Sequence, residues 1–308
     1  MLTLDDFTPV TQEDRAFFLD LYAKYPQRHS DMSFVTMMCW NHYAHYAYAR
    51  VGDGVVIMST IGGDRTFRGP IGPQDPATLE DVFNLAVREG CAAPYYVFDE
   101  ETLEWVRSLY PGLAFRSDRD FADYVYLASD LDDLPGKKYL TIRGHLNRFR
   151  RSCEPVVEEM HAENLAEVRE FLKKWCAWRH CDESPVLAEE KEAVLYAMEH
   201  FSDLGLSGLM IRVNGAIAAI SVYDDLNPDT ALIHFEKGLP DCEGVYKAVN
   251  QEAARLLAPD HTYVNRESDV GVPGLREAKL RYHPHHMAEV YVAEKADLEK
   301  RHQERGEI

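Results

Sequence analysis

The 308-residue chain has no regular cysteine framework: Cys39, Cys91, Cys153, Cys176, Cys181 and Cys242 form no CxxC pair. A chain this long builds its own core without disulfide staples, so reduced thiols and a cytoplasmic location are expected. Long apolar runs are also missing. The longest charge-free stretch, residues 32–49, carries Asn41, His42 and His45 among its aromatics, too polar for an unbroken bilayer span. The first residues, MLTLDDFTPVTQEDRAFF, place acids where an export signal needs a basic region followed by an apolar one. Positive charge is scarce as well, with 33 Lys+Arg against 52 Asp+Glu and a net charge of −19. That balance disfavours anionic membranes and nucleic acid except where basic residues are concentrated. What remains, 46% hydrophobic and 28% charged residues, is the composition of a folded globular protein and excludes disordered and fibrous classes.

Periodicity predicts an amphipathic helix over 11–24, a second helix starting near Ser33, and a hairpin of 46–51 and 55–60 around Gly52-Asp53-Gly54. Glycine and proline at 69–73 punctuate before a helix at 77–89, and strand, helix and strand follow at 95–98, 100–110 and 122–127. The order then recurs: helices at 163–179 and 187–201, strands at 209–213, 216–223 and 230–236, and a helix at 244–257. YARVGDGVVIMST aligns with MIRVNGAIAAISV, and the strand-helix-strand from Tyr95 has a counterpart from Tyr263. The chain therefore reads as a duplicated α+β protein with domains 1–130, the degenerate one, and 131–308, which holds the candidate active site. Helices, a meander of strands, a helix and a closing strand-helix-strand are the order of a GNAT-type acyltransferase, a mixed sheet flanked by helices.

Two segments carry candidate chemistry. LPGKKYLTIRGHLNRFRRSC holds Lys137, Lys138, Arg143, Arg148, Arg150 and Arg151 without an acid. Such clustered donors suit phosphate oxygens, although a solvated helix face packed through Tyr139, Leu146 and Phe149 explains the pattern equally well. YVNRESDVGVPGLREAKLRYHP sends Asn265, Glu267 and Asp269 to one face of a strand end, breaks at Gly271, Pro273 and Gly274, and restarts as a helix bearing Arg276, Lys279 and Tyr282. Acids and bases meeting beside a helix start suit a carboxylate or phosphate and a reacting acyl group, while an ion-paired strand-to-helix corner is the plainer reading.

GKKYLTIRGHLNRFRR, NRESDVGVPGLREAKLRYHP and HSDMSFVTMMCWNHYAHY together resemble the phosphatidylglycerol lysyltransferase C-terminal domain family, from about Ser30 to Val292. The family's Asn-x-Glu-x-Asp-x-Gly pattern falls on Asn265, Glu267, Asp269 and Gly271, and its Gly-Leu-Arg-x-Ala-Lys pattern on Gly274, Leu275, Arg276, Ala278 and Lys279. The resemblance implies tandem GNAT-like folds related to peptidoglycan-bridge aminoacyltransferases, an aminoacyl-tRNA donor, and a lipid, amine or hydroxyl acceptor. No spanning stretch accompanies these motifs, which favours a soluble small-molecule acceptor, with any tRNA held by residues 137–151.

Acyl-CoA is the lesser donor expectation. The junction HFEKGLPDCEGVYKA has only Gly238 and Gly244, too widely spaced for a phosphate cradle, and adds Glu236, Asp241 and Glu243. HPHH at 283–286 lacks the companions of a metal site, WCAWRHC reads as a packed stripe, and the aromatics of 34–48 suit a core or a ligand slot. No resident cofactor or metal is expected. For acyl transfer, Lys279 or Arg276 would stabilise an oxyanion or phosphate, Glu267 or Asp269 would orient the amine and take its proton, and Tyr282 would be a weaker acid. The rival is a non-catalytic small-ligand-binding protein on the same fold.

Overall fold

The computed structural model describes residues 1–304. In chain order its elements begin with β1 (Thr8–Pro9), α1 (Arg15–Lys24), α2 (Phe34–Cys39), α3 (Asn41–Ala44), β2 (Ala47–Val51), β3 (Gly54–Ile61) and β4 (Asp64–Ile71). They continue with α4 (Pro76–Arg88), β5 (Tyr95–Val97), α5 (Glu100–Leu109), β6 (Phe115–Ser117), β7 (Asp123–Leu127), α6 (Ala128–Asp133) and α7 (Leu140–Cys153). Next come β8 (Val156–Glu159), α8 (Leu165–Arg179), α9 (Pro185–Glu199), β9 (Ser207–Val213), β10 (Ala216–Asn227), β11 (Thr230–Gly238) and α10 (Val245–Leu257). The chain closes with β12 (Tyr263–Asn265), α11 (Pro273–Leu280), β13 (His286–Ala288), β14 (Tyr291–Ala293) and α12 (Lys295–Glu304).

Local chemistry sets several boundaries. Ser33 caps α2 by accepting from the Thr36 N–H, and Asp75 caps α4 through the Ala77 and Thr78 N–H groups, with Pro76 in the first turn. The glycine-proline break read at 69–73 overlaps the end of a strand not predicted from the sequence, β4 over Asp64–Ile71. Pairing with β3 gives that segment a partner that local propensity could not reveal. The basic segment becomes α7, whose buried Ile142, Leu146, Phe149 and Cys153 recur every three or four residues.

Two seven-stranded mixed sheets result, ordered β1-β2-β3-β4-β5-β14-β6 and β13-β7-β12-β11-β10-β9-β8. The hairpins β2–β3 and β9–β10 occupy matching places, as the internal alignment implies. The closing strands, however, are exchanged. β7, read as the last strand of the first half, pairs antiparallel with β12 of the second sheet, whereas β14 inserts between β5 and β6 of the first. The compact units are consequently Met1–Ala122 with Ala288–Ile308, and Asp123–Met287, which differ from the continuous halves 1–130 and 131–308.

In the first unit, Val56, Phe67, Leu79, Phe83, Tyr95 and Val106 belong to one buried core. In the second, α10 lays Val245, Ala248, Val249, Ala253 and Leu257 against a core that includes Leu209, Ile211, Ala231, Ile233 and Tyr124. Burying each large aliphatic side chain of these cores contributes about 1.5–3 kcal/mol.

Candidate active site

The site lies where two parallel strands of the second unit part. β11 and β12 are paired only through Thr230–Tyr263, Ala231–Val264 and Leu232–Asn265, although β11 runs on to Gly238. Beyond the last pair, Arg266 and Glu267 face His234 and Glu236 side chain to side chain. The β10–β11 register slips here: Val222 opposes Phe235 and Tyr223 opposes Ile233, which leaves His234 as the extra residue of a β-bulge. A bulge re-aims its side chain. The buried His234 ring meets Asp224 Oδ1 at 2.8 Å through Nε2 and Glu267 Oε1 at 3.7 Å through Nδ1. Burial works against the charged ring, but Asp224 and then Glu267 outweigh it and push the imidazole up to about 9.

Next to it, the Arg266 guanidinium donates to Glu236 Oε2 from Nε (3.2 Å) and Nη2 (2.6 Å) and lies over the rings of Tyr126 and Tyr282. Asn250 of α10 donates to the other Glu236 oxygen at 3.3 Å, and Ser221 stands opposite Glu236 in the ladder. Arg266 Nη1, Asn250 Oδ1 and Ser221 Oγ are buried without a hydrogen-bond partner among the described residues, so this corner retains polar capacity that water or a ligand can satisfy.

The segment from Arg266 to Gly271 is unusual in its backbone. Glu267 (φ 56°) and Val270 (φ 44°) occupy the left-handed region, which costs a non-glycine residue about 1–2 kcal/mol and is severe for a β-branched one. Two clamps hold it. Lys279 from α11, buried, donates its ammonium to the carbonyls of Arg266 (2.6 Å), Glu267 (3.0 Å) and Ser268 (2.5 Å). Asp269, fully buried, accepts two bonds from Arg276 (2.8 and 2.9 Å), one from the Tyr124 hydroxyl (2.5 Å) and one from the Gly271 N–H (3.0 Å). β7 supports both clamps: Tyr124 exchanges backbone bonds with Arg266 and Glu267, Tyr126 donates to the Lys279 carbonyl, and Asp123 accepts from Asn265. Asn265 in turn accepts the Glu267 N–H at 2.8 Å.

Electrostatics separates the groups. Burial raises the Asp269 carboxyl in principle, but Arg276, Tyr124 and the Gly271 N–H hold it well below the usual carboxylate range. Burial raises the half-buried Glu267, with His234 and then Lys279 pulling against it. Lys279 is pushed down to about 8 by burial, against the attraction of Glu267, and stays an ammonium at neutral pH. Tyr282 is driven by burial up to about 12, away from acid duty.

The residues expected to gather, Asn265, Glu267, Asp269, Gly271, Arg276, Lys279 and Tyr282, do lie around one strand-to-helix corner, where several of them hold the loop together. All three ammonium donors of Lys279 are spent on carbonyls, so in this arrangement it shapes the loop and offers nothing to an oxyanion. Asp269 accepts from Arg276, Tyr124 and the Gly271 N–H and is held well below the usual carboxylate range, which removes it as a base. Gly271 (φ 74°) permits the turn, whereas a Cβ on Gly274 would meet open space, so its place in the motif has no steric explanation here. The basic segment lies along α7 and the turn before it, and much of it is already engaged. Lys138 meets Asp130, Arg148 meets Glu243, Arg150 meets Gln251 and Glu252, and Arg143 donates to the Leu134 and Gly136 carbonyls. Lys137 and Arg151 are exposed. Sequence reasoning missed His234, Asp224, Glu236, Arg266, Asp123 and Tyr124. The signals were a histidine and a glutamate inside a buried strand, and an arginine within the very motif singled out.

Two mixed sheets with flanking helices, a divided parallel strand pair and a bulge at the division define a tandem GNAT-fold protein. The chain belongs to the phosphatidylglycerol lysyltransferase C-terminal family, whose pattern matches residues 22–294. Among solved structures, a conserved protein of unknown function from Bacteroides thetaiotaomicron is 30% identical, with a TM-score of 0.87 over 93% of this chain and 98% of that one. L-PGS from Bacillus licheniformis superposes with a TM-score of 0.63 at 14% identity, over 92% of each chain. FemX superposes with a TM-score of 0.56 at 9% identity, over 93% of this chain and 96% of that one, a likeness of fold alone. No curated protein matches the sequence. Among the described residues, no helix is long and apolar enough to cross a membrane, and no group of three or more His, Cys, Asp or Glu could hold a metal ion.

Proposed function

We propose that this chain is an aminoacyltransferase that moves an aminoacyl group from the ester of an aminoacyl-tRNA to the amine or hydroxyl of a soluble small molecule in the cytoplasm. Family membership supports the reaction class. The observation that carries the site is the half-buried Glu267 carboxylate on a strained, doubly clamped loop at the mouth of the parted strands.

For an amine acceptor, the nitrogen attacks the ester carbonyl carbon, the C–N bond forms and the C–O bond to the tRNA ribose breaks. Glu267, with its affinity for protons raised by burial, accepts the proton from the attacking nitrogen and returns it to the departing ribose oxygen. Lys279, Asp269 and Arg276 act by fixing where Glu267 stands, because a small displacement of a base is costly in rate. Within residues 137–151, Lys137 and Arg151 are the exposed cations without an acidic partner among the described residues, and they would meet donor phosphates. Acyl-CoA is the less favoured donor. At the start of α10 the first-turn N–H groups of Val245, Lys247 and Ala248 already bond to the Cys242 and Gly244 carbonyls, and Glu243 stands beside them paired with Arg148.

The test is transfer of labelled amino acids from a mixed aminoacyl-tRNA pool, with a cytosolic small-molecule extract as acceptor. Label in a new soluble product that disappears in Glu267→Gln supports the reading. Label retained on tRNA, with saturable binding of an extract component, replaces it by the ligand-binding rival.

A further inference from the structure

We propose that His234, seated between Asp224 and Glu267, is the positioning residue that keeps Glu267 ionised and aimed at the acceptor. This rests on the reading of Glu267 as the base. The geometry is specific: the bulge takes His234 out of the ladder, its side chain is only 2% exposed, Nε2 lies 2.8 Å from Asp224 Oδ1, and Nδ1 lies 3.7 Å from Glu267 Oε1. A buried ring hydrogen-bonded to one carboxylate and within ion-pair distance of a second is favoured as an imidazolium, because both negative charges stabilise the protonated form. Asp224 fixes the ring's plane and its charge, and the free end of that charge faces the one half-buried carboxylate of the loop.

The other charged groups around Glu267 do not meet its carboxylate directly. Lys279 of α11 lowers its proton affinity only through space, with its donors on backbone carbonyls, Arg266 pairs with Glu236 of β11, and Asp123 of β7 adds repulsion. Without the imidazolium, burial would leave Glu267 protonated over a wider pH range, and a protonated carboxyl cannot accept the acceptor's proton. His234 itself transfers nothing; it acts through Glu267.

The experiment follows the Glu267 side-chain carboxyl carbon by NMR pH titration of the full chain labelled with 13C-glutamate, the resonance being assigned by its loss in Glu267→Gln. His234→Gln, which removes the charge but keeps polar shape, is expected to raise the Glu267 midpoint by about one pH unit or more, a tenfold change. Asp224→Asn is expected to move it in the same direction by less, and serves as the second probe should His234→Gln not fold. A midpoint unchanged within about 0.3 unit in a folded variant overturns the proposal, taking one pH unit as the tenfold scale. The titration needs no substrate, so it decides the role of His234 even where no donor transfers and the aminoacyltransferase reading fails. Where transfer is seen, the acid limb of its pH profile is expected to move up with the same midpoint while KM holds, which a merely structural histidine would not produce.

Discussion

Replacing Lys279 with methionine keeps the aliphatic stem in its buried slot and removes the donors that close the loop of residues 266–271. Of the three carbonyls it serves, Glu267 O retains the Tyr124 N–H at 3.1 Å, whereas Arg266 O and Ser268 O lose the bonds at 2.6 and 2.5 Å. Leaving a buried acceptor unsatisfied costs about 1–3 kcal/mol. Two such groups therefore cost about 2–6 kcal/mol, reduced by the burial penalty of the ammonium that methionine no longer bears. A net loss of about 3 kcal/mol is expected from these figures, and for a unit of about 165 residues it corresponds to a fall of roughly 6–12 °C in melting temperature. Differential scanning calorimetry measures this, and hydrogen exchange should show faster exchange at residues 266–271 than in β9–β11. Aminoacyl transfer, where detected, should fall by more than stability alone explains, because the loop places Glu267. A Lys279→Met protein melting within about 2 °C of the wild type, against the shift expected per kcal/mol, would refute the clamp.

Other consequences can be checked with the same preparations. Asp269 has its proton affinity depressed in the folded state. Its contribution is therefore fully present above the unfolded carboxyl value of about 4 and is lost as pH falls below that. Urea titrations at several pH values should show the gap between wild type and Asp269→Asn narrowing through that window, and a gap independent of pH would contradict the assignment. Gly244 (φ 98°) begins α10 with room for no side chain, a Cβ there meeting the His145 carbonyl at 3.1 Å and the Phe149 Cβ at 3.2 Å. Gly244→Ala should destabilise by about 1–3 kcal/mol in chemical denaturation. Val270 is exposed and left-handed, so Val270→Gly is expected to be neutral or stabilising by up to about 1 kcal/mol, and a loss of stability would argue against the strain. Exposed Lys137 and Arg151 changed together to glutamate should flatten the salt dependence of tRNA binding by roughly two units of slope, and an unaltered slope would remove this segment from donor binding.

Much of this protein was written locally in its sequence. The helix start near Ser33, the Gly52-Asp53-Gly54 hairpin, the spacing of Leu146 and Phe149, and the repeat of hairpin and helix are short-range patterns, and they suffice for element type and for a duplicated GNAT-type architecture. The motif from Asn265 to Tyr282 also located the corner where the candidate site stands, because a strand, a glycine-proline break and a helix are adjacent in the chain. Tertiary structure decided the rest. Whether β7 closes the first sheet or joins the second depends on which strand edge it meets, and hydrogen bonds to Asn265, Arg266 and Glu267 settle it from more than 130 residues away. The roles of the motif residues were decided in the same way. A lysine and an aspartate in sequence are only a cation and an anion; three converging carbonyls around one, and Arg276 with Tyr124 around the other, turn both into fasteners. His234 could not be read at all, since a histidine in a buried strand has no meaning until a register slip shows which carboxylates it meets.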